Sequence, residues 1–168
     1  KGTYYTPREV VHYMCQQSLI NYLSAQLEGK VPRGDIETLI HHGESVSENE
    51  ARVISAGKET QTYYHKIPES IRVTAGLIDD KLADIKVCDP AIGSGAFPVG
   101  MMSEIVRARN TLSNYIKDDT RTIYNFKRDC IHNSLYGVDI DSGAVEVAKL
   151  RLWLSLVVDE EDIKQIKP

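Results

Sequence analysis

What this sequence has little of narrows it first. Its three cysteines, Cys15, Cys88 and Cys130, are odd in number and widely spaced. They suit neither a disulfide framework nor a zinc site and read as buried thiols of a reducing cytosol. No apolar run approaches the roughly 18 residues of a membrane span, and the opening KGTYYTPREV has no signal-peptide core. Positive charge is short too. Lys and Arg number 20 against 24 Asp and Glu, a net −4, so the chain carries no global basic footprint for nucleic acid. That leaves DNA open as the substrate of a larger protein. His41 and His42 are neighbours, which on a helix do not share a face; His12, His65 and His132 have no partner spacing, and no metal is expected.

What is present suits a globular domain: 168 residues, 42% of them hydrophobic, are enough for a sizeable core. Thr6, Pro7 and Glu9 form a capping box with proline at the first helical position. They predict a helix to about Leu27 with Val11, Cys15, Leu19 and Leu23 on one stripe. Residues 28–66 are polar and punctuated by Gly29, Pro32, Gly34, Gly43 and Gly57. They read as an insertion or small helical subdomain, with a short helix through Ala51–Ala56 after a second capping box at Ser47–Glu50. Pro68 opens a helix to about Ala83. A strand is expected at Ile85–Asp89, helices at Ala96–Leu112 and Thr122–Asn133, a second strand at Leu135–Ile140, and a long apolar helix from Ser142 capped by Asp141. The division is 1–27, 28–66 and 67–168. The order implies parallel strands with right-handed crossovers, although two strands make too small a sheet to stand alone. The chain starts without Met and closes on Pro168 after a charged stretch, so both ends read as cut from a longer chain.

The informative stretch is VCDPAIGSGAFPVG, residues 87–100. A glycine turn between strand and helix lets a ligand approach the backbone at a helix N-terminus. It lacks the third glycine of a dinucleotide fingerprint, Pro98 standing there, and the next strand-end acid is Asp139, far beyond the expected ~20 residues. It also lacks the Gly-Lys-Ser/Thr ending of a phosphate loop. Asp89, ahead of the glycines, would repel a pyrophosphate but suits a cation. S-adenosyl-L-methionine has an ammonium, a sulfonium and a ribose diol, and no phosphate. Asp89 can face the cationic end, Asp139 can accept both ribose hydroxyls, and Ile140 offers an apolar face to adenine. Asp141 reads as a helix cap.

Three stretches together, Gly2-Thr3-Tyr4-Tyr5-Thr6-Pro7, Asp89 through Phe97, and Tyr136-Gly137-Val138-Asp139-Ile140-Asp141, resemble DNA methyltransferases acting on adenine N6. The likeness is greatest to the methylase part of type II restriction–modification enzymes that fuse cutting and modification, with the gamma order of motifs. The resemblance implies a Rossmann-like α/β methyltransferase fold, truncated and helix-rich. It implies S-adenosyl-L-methionine bound by Tyr4, Tyr5, Thr6, Pro7, Asp89, Pro90, Ala91, Gly93, Gly95, Asp139 and Ile140, with Thr6 on the methionine carboxylate. It further implies a prokaryotic cytoplasmic, nucleoid-associated protein that meets double-stranded DNA through regions outside this chain. The family's catalytic Asp/Asn/Ser-Pro-Pro-aromatic element is missing, since no two prolines are adjacent. No catalytic residue is therefore expected here, and the chain reads as an inactive cofactor-binding portion. Two alternatives remain open: a methyltransferase of protein or RNA amines, and a non-catalytic helical interaction module built on the apolar helix after Asp141.

Overall fold

The computed structural model describes residues 6–55 and 66–158, without the side chains of 53–55. Tyr4 and Tyr5 lie outside the described residues. Among the described residues seven helices and two short strands follow in the order α1 (Arg8–Gln26), α2 (Arg33–Ser55), α3 (Glu69–Val73), α4 (Ala75–Asp84), β1 (Val87–Asp89), α5 (Ala96–Leu112), α6 (Ile123–Asn133), β2 (Leu135–Gly137) and α7 (Ser142–Val157). The strands are parallel, in register Val87 to Leu135, Cys88 to Tyr136 and Asp89 to Gly137. The pairing is shorter than the sequence predicts, but bonds from Val138 N to the Asp89 carbonyl and from Ile92 N to the Val138 carbonyl carry it past the strand ends.

Helix α5 lies at the centre. Met101, Met102, Ile105, Val106 and Leu112 are buried on it and meet α1, α2, α4 and α6. The α1 stripe is as expected, with Val11, Cys15, Leu19 and Leu23 all buried. Gly100 is what lets α1 lie so close: a Cβ there would sit 3.0 Å from Cys15 Sγ and 3.1 Å from Val11 Cγ1. Register is set by polar contacts inside the packing. Buried Gln16 donates to buried Glu104 at 3.2 Å and meets His41 Nδ1 at 3.0 Å, and a buried polar contact of this kind is costly to misplace. A second such cluster joins α4 to α6. Asp79 accepts from both Arg109 and Arg121 at 2.7–3.2 Å, and both guanidiniums stack on Phe126.

Several expectations need correction. The stretch after Pro32 is one helix of 23 residues, not a short helix at Ala51–Ala56. Ile36, Leu39, Ile40 and Val46 bury into the same core as α1 and α5. Its Ser47–Glu50 box is therefore mid-helix. Glu50 instead accepts from Ile67 N and the Tyr115 hydroxyl, both at 3.0 Å; burial and this carboxylate push the Tyr115 hydroxyl up to about 12. Pro7, rather than Thr6, occupies the cap position of α1, and no side chain caps that end. The helix after Pro68 breaks at Thr74 into α3 and α4. On α7 only Ala148 is buried, while Val147, Leu150, Trp153 and Leu154 are exposed.

Candidate functional site

The site is built from the end of β1. Asp89 closes the strand, and its Oδ1 accepts from Ala91 N at 3.0 Å, a local turn of the kind aspartate favours. Gly93 and Gly95 then adopt positive φ of 51° and 81°, a conformation other residues take at a cost. Gly95 N closes the turn onto the Ile92 carbonyl at 2.9 Å. Gly95 itself is the cap position of α5, which carries no side-chain cap. The first N–H groups of that 17-residue helix therefore face the loop.

Asp139 completes the loop from the next strand. Its Oδ2 accepts from Gly93 N at 2.9 Å and its Oδ1 from Asp141 N at 2.9 Å. N–H bonds from Asp141 and Gly93 hold its carboxyl below the usual carboxylate range. Asp141 next to it accepts from Gly143 N at 2.9 Å and caps α7, the role its position predicts. Two acids two residues apart thus have separate tasks: one braces the glycine loop and the other starts a helix.

A cavity of about 420 Å³ opens over this loop, inside the roughly 300–1,000 Å³ range of small-molecule sites. It brings Thr6 from the approach to α1 together with Asp89, Pro90, Ala91 and Gly93. The chain separation between Thr6 and the loop is bridged by the α1–α5 packing at Gly100. Met14 and Phe97 add apolar wall, and the sequence assigns neither to the ligand; Met14 lies one helical step from Val11, which also lines the cavity. Among the described residues no Lys or Arg lines it, and Asp89 supplies the charge. Pro7 and Gly95 are not in the lining but adjoin lining residues in the chain, and Asp139 meets the lining through Gly93 N. Ile140 is fully exposed and lies away from the cavity wall. A larger cavity of about 490 Å³ lies between α6, β2 and α7, walled by Ile131, Leu135, Val145 and Trp153 and, among the described residues, by no acid. It reaches the loop only near Ile92 and Gly137, so the smaller cavity is the candidate site. Among the described residues no group of three or more His, Cys, Asp and Glu could hold a metal ion, and no helix is long and apolar enough to cross a membrane.

An acid-ended strand, a glycine turn and an uncapped helix stand here at the carboxyl ends of two parallel strands, the place where open α/β sheets bind ligands. Comparison with known proteins gives the family. Residues 66–167 match the family MmeI, DNA-methyltransferase domain, and the chain belongs to that family. It is also 30% identical over 166 residues to a protein of Methanocaldococcus jannaschii named as a type II restriction enzyme and methyltransferase. That alignment covers 99% of this chain and 13% of the relative's length. No solved structure matches the chain.

Proposed function

We propose that this chain is the S-adenosyl-L-methionine-binding portion of a DNA adenine N6-methyltransferase of a restriction–modification system. The observation that carries the reading is the cavity itself. Thr6, Asp89 and the glycine loop meet there with an acid, a hydroxyl and apolar walls, and among the described residues no basic side chain joins them. That chemistry suits a cationic amino-acid nucleotide and repels a pyrophosphate. The N–H groups of Ala91 and Gly93 are already engaged by Asp89 and Asp139. Their carbonyl oxygens, with Asp89, are then the acceptors for the ammonium group. Thr6 is assigned to the methionine carboxylate, and Tyr4, Tyr5 and Pro7 to the same end. Asp139 keeps lone pairs for the ribose hydroxyls while bracing the loop, and Ile140, outside the cavity wall, is assigned to an adenine that projects beyond it.

The cofactor supplies an electrophilic methyl on its sulfonium, and an adenine amine of duplex DNA is the acceptor. This chain's residues bind and orient the donor; acceptors for the amine, a base pocket and a DNA-recognition region are assigned to other parts of the parent protein. A cytoplasmic enzyme follows from that role. The boundaries 1–27, 28–66 and 67–168 stand as its proposed division.

Calorimetry with S-adenosyl-L-methionine and S-adenosylhomocysteine tests the reading. The wild type should bind, and Asp139→Ala should lose at least about tenfold in affinity, the cost of one charge-assisted bond. Asp141→Ala should instead lower stability by about 1 kcal/mol, as for a lost cap, with affinity near the wild type's. No binding at millimolar ligand, or equal binding losses in both variants, would refute the assignment.

A further inference from the structure

The glycine loop is held from three directions, and one of the holds comes from Arg151, which has no acidic partner among the described residues. Asp139 takes Gly93 N from the β2 side. Ala148 of α7 is 1% exposed and packs beneath Gly95. Three residues along the same helix face, Arg151 reaches the top of the turn. Its Nη1 lies 3.2 Å from the Ser94 carbonyl and 3.3 Å from the Ser94 hydroxyl. Arg151 also borders a cavity of about 360 Å³ that shares Thr6, Val11 and Ala96 with the candidate site.

We propose that Arg151 is a positioning residue of the glycine loop: it fixes Ser94 so that the turn holds its ligand-ready shape before ligand arrives. The physical argument is preorganisation. Gly93 and Gly95 flank Ser94 and give the turn more freedom than any other pair of residues would. A loop that must be ordered on binding loses affinity in proportion to that freedom. The guanidinium spends its donors on one carbonyl and one hydroxyl of the residue between the glycines, which is where a single hold removes most of the motion. Helix α7 thus couples the second strand–helix unit to the first one's loop, through Arg151 above and Ala148 below. The inference rests on the reading of this loop as the cofactor site.

The test uses Arg151→Met, which keeps the apolar stem, and Arg151→Lys, which keeps one charged donor. Amide hydrogen exchange is followed at Gly93 and Gly95, whose N–H groups donate to Asp139 Oδ2 and to the Ile92 carbonyl, and S-adenosylhomocysteine affinity is measured alongside. In the ligand-free protein Arg151→Met should speed exchange at both glycines by about tenfold while mid-helix amides of α5 stay protected. Its affinity should fall by a factor of about five, the worth of one net hydrogen bond, at an unchanged melting midpoint. Arg151→Lys should recover part of both effects. Ser94→Ala, at an exposed position, removes one of the two acceptors and should give a smaller effect that is not additive with Arg151→Met. Wild-type exchange at Gly93 and Gly95 in Arg151→Met, with ligand still binding, would overturn the clamp and leave the cofactor reading standing. Faster exchange in a protein whose wild type binds no ligand would overturn the cofactor reading and the purpose assigned to the clamp.

Discussion

Gly95→Ala puts the loop's dependence on α7 to a quantitative test. At this position φ is +81°, and an added Cβ would stand 2.9 Å from Ala148 Cβ and 3.1 Å from Ala148 Cα. Neither neighbour is the far end of a flexible chain. The left-handed backbone costs a non-glycine residue roughly 1–2 kcal/mol. Forcing apart a packed contact costs roughly a further 1–3 kcal/mol. Restricting the unfolded chain returns about 0.4–1 kcal/mol, so a net loss of about 1–5 kcal/mol is expected from these three terms. Gly29→Ala is the control. Its φ is +74°, but nothing lies within 4 Å of the new Cβ, so it carries the backbone cost without the collision. Urea unfolding followed by circular dichroism reads the difference. With a slope of about 2 kcal/mol per molar, a steric term of about 2 kcal/mol moves the midpoint of Gly95→Ala about 1 M below that of Gly29→Ala. Ala148→Gly added to Gly95→Ala should recover at least about 1 kcal/mol relative to the sum of the single changes. Equal midpoints for the two alanine variants, or no coupling with Ala148→Gly, would refute the claim that α7 backs the loop.

Two further outcomes follow from buried chemistry. Asp79→Ala strands the guanidiniums of Arg109 and Arg121 beside Phe126 and should cost about 3–5 kcal/mol in urea unfolding. Burial pushes the Asp79 carboxyl up, but the hydrogen bonds and charges of Arg121 and Arg109 outweigh it and hold it below the usual range. A carboxyl lowered on folding stabilises fully above its unfolded pKa of about 3.9 and loses that contribution as pH falls through the folded value. The wild type should therefore lose stability more steeply below pH 4 than Asp79→Ala, and parallel pH profiles would sink the argument. Burial pushes the Cys15 and Cys130 thiols up to about 12, while Cys88 is exposed on the cavity wall. A disulfide reagent at pH 8 should titrate one thiol in the native protein and three in urea, and S-adenosylhomocysteine should slow the native one; rapid reaction of two or three native thiols would contradict the packing of α1 and α6.

Short-range features of this fold are legible in the sequence, and long-range ones are not. The starts of α5, α6 and α7 are read correctly because each rests on a local signal: Gly95, the Thr122 hydroxyl that accepts from Asn125 N at 3.1 Å, and Asp141. Helix α2 is misread because Pro32, Gly34 and Gly43 look like loop punctuation. Pro32 in fact supplies its carbonyl to Asp35 and Ile36 at the helix start, and Gly43 is in the helix because α5 passes close. A Cβ there would meet Thr111 Cγ2 and Leu39 Cδ1 at 3.3 Å. Packing has overridden propensity, as it commonly does. The loop half of the site is legible for the same local reason: an acid, a turn and two glycines lie within seven residues. The other half depends on packing. Thr6 reaches the cavity only because Gly100, well down α5, lets α1 settle against it. Arg151 has no local mark at all. In the sequence it is one of three charges in a largely apolar helix, with Glu146 and Lys149, and indistinguishable from a solubilising residue. It gains a role only because the Ala148 contact sets α7 at a height where a guanidinium in the third turn reaches Ser94. A site divided in this way has a consequence for substitution. Changes at Asp89, Gly93 or Asp139 act on bonds within the loop, whereas changes at Gly100, Ala148 or Arg151 act on where helices lie and reach the cavity through that displacement.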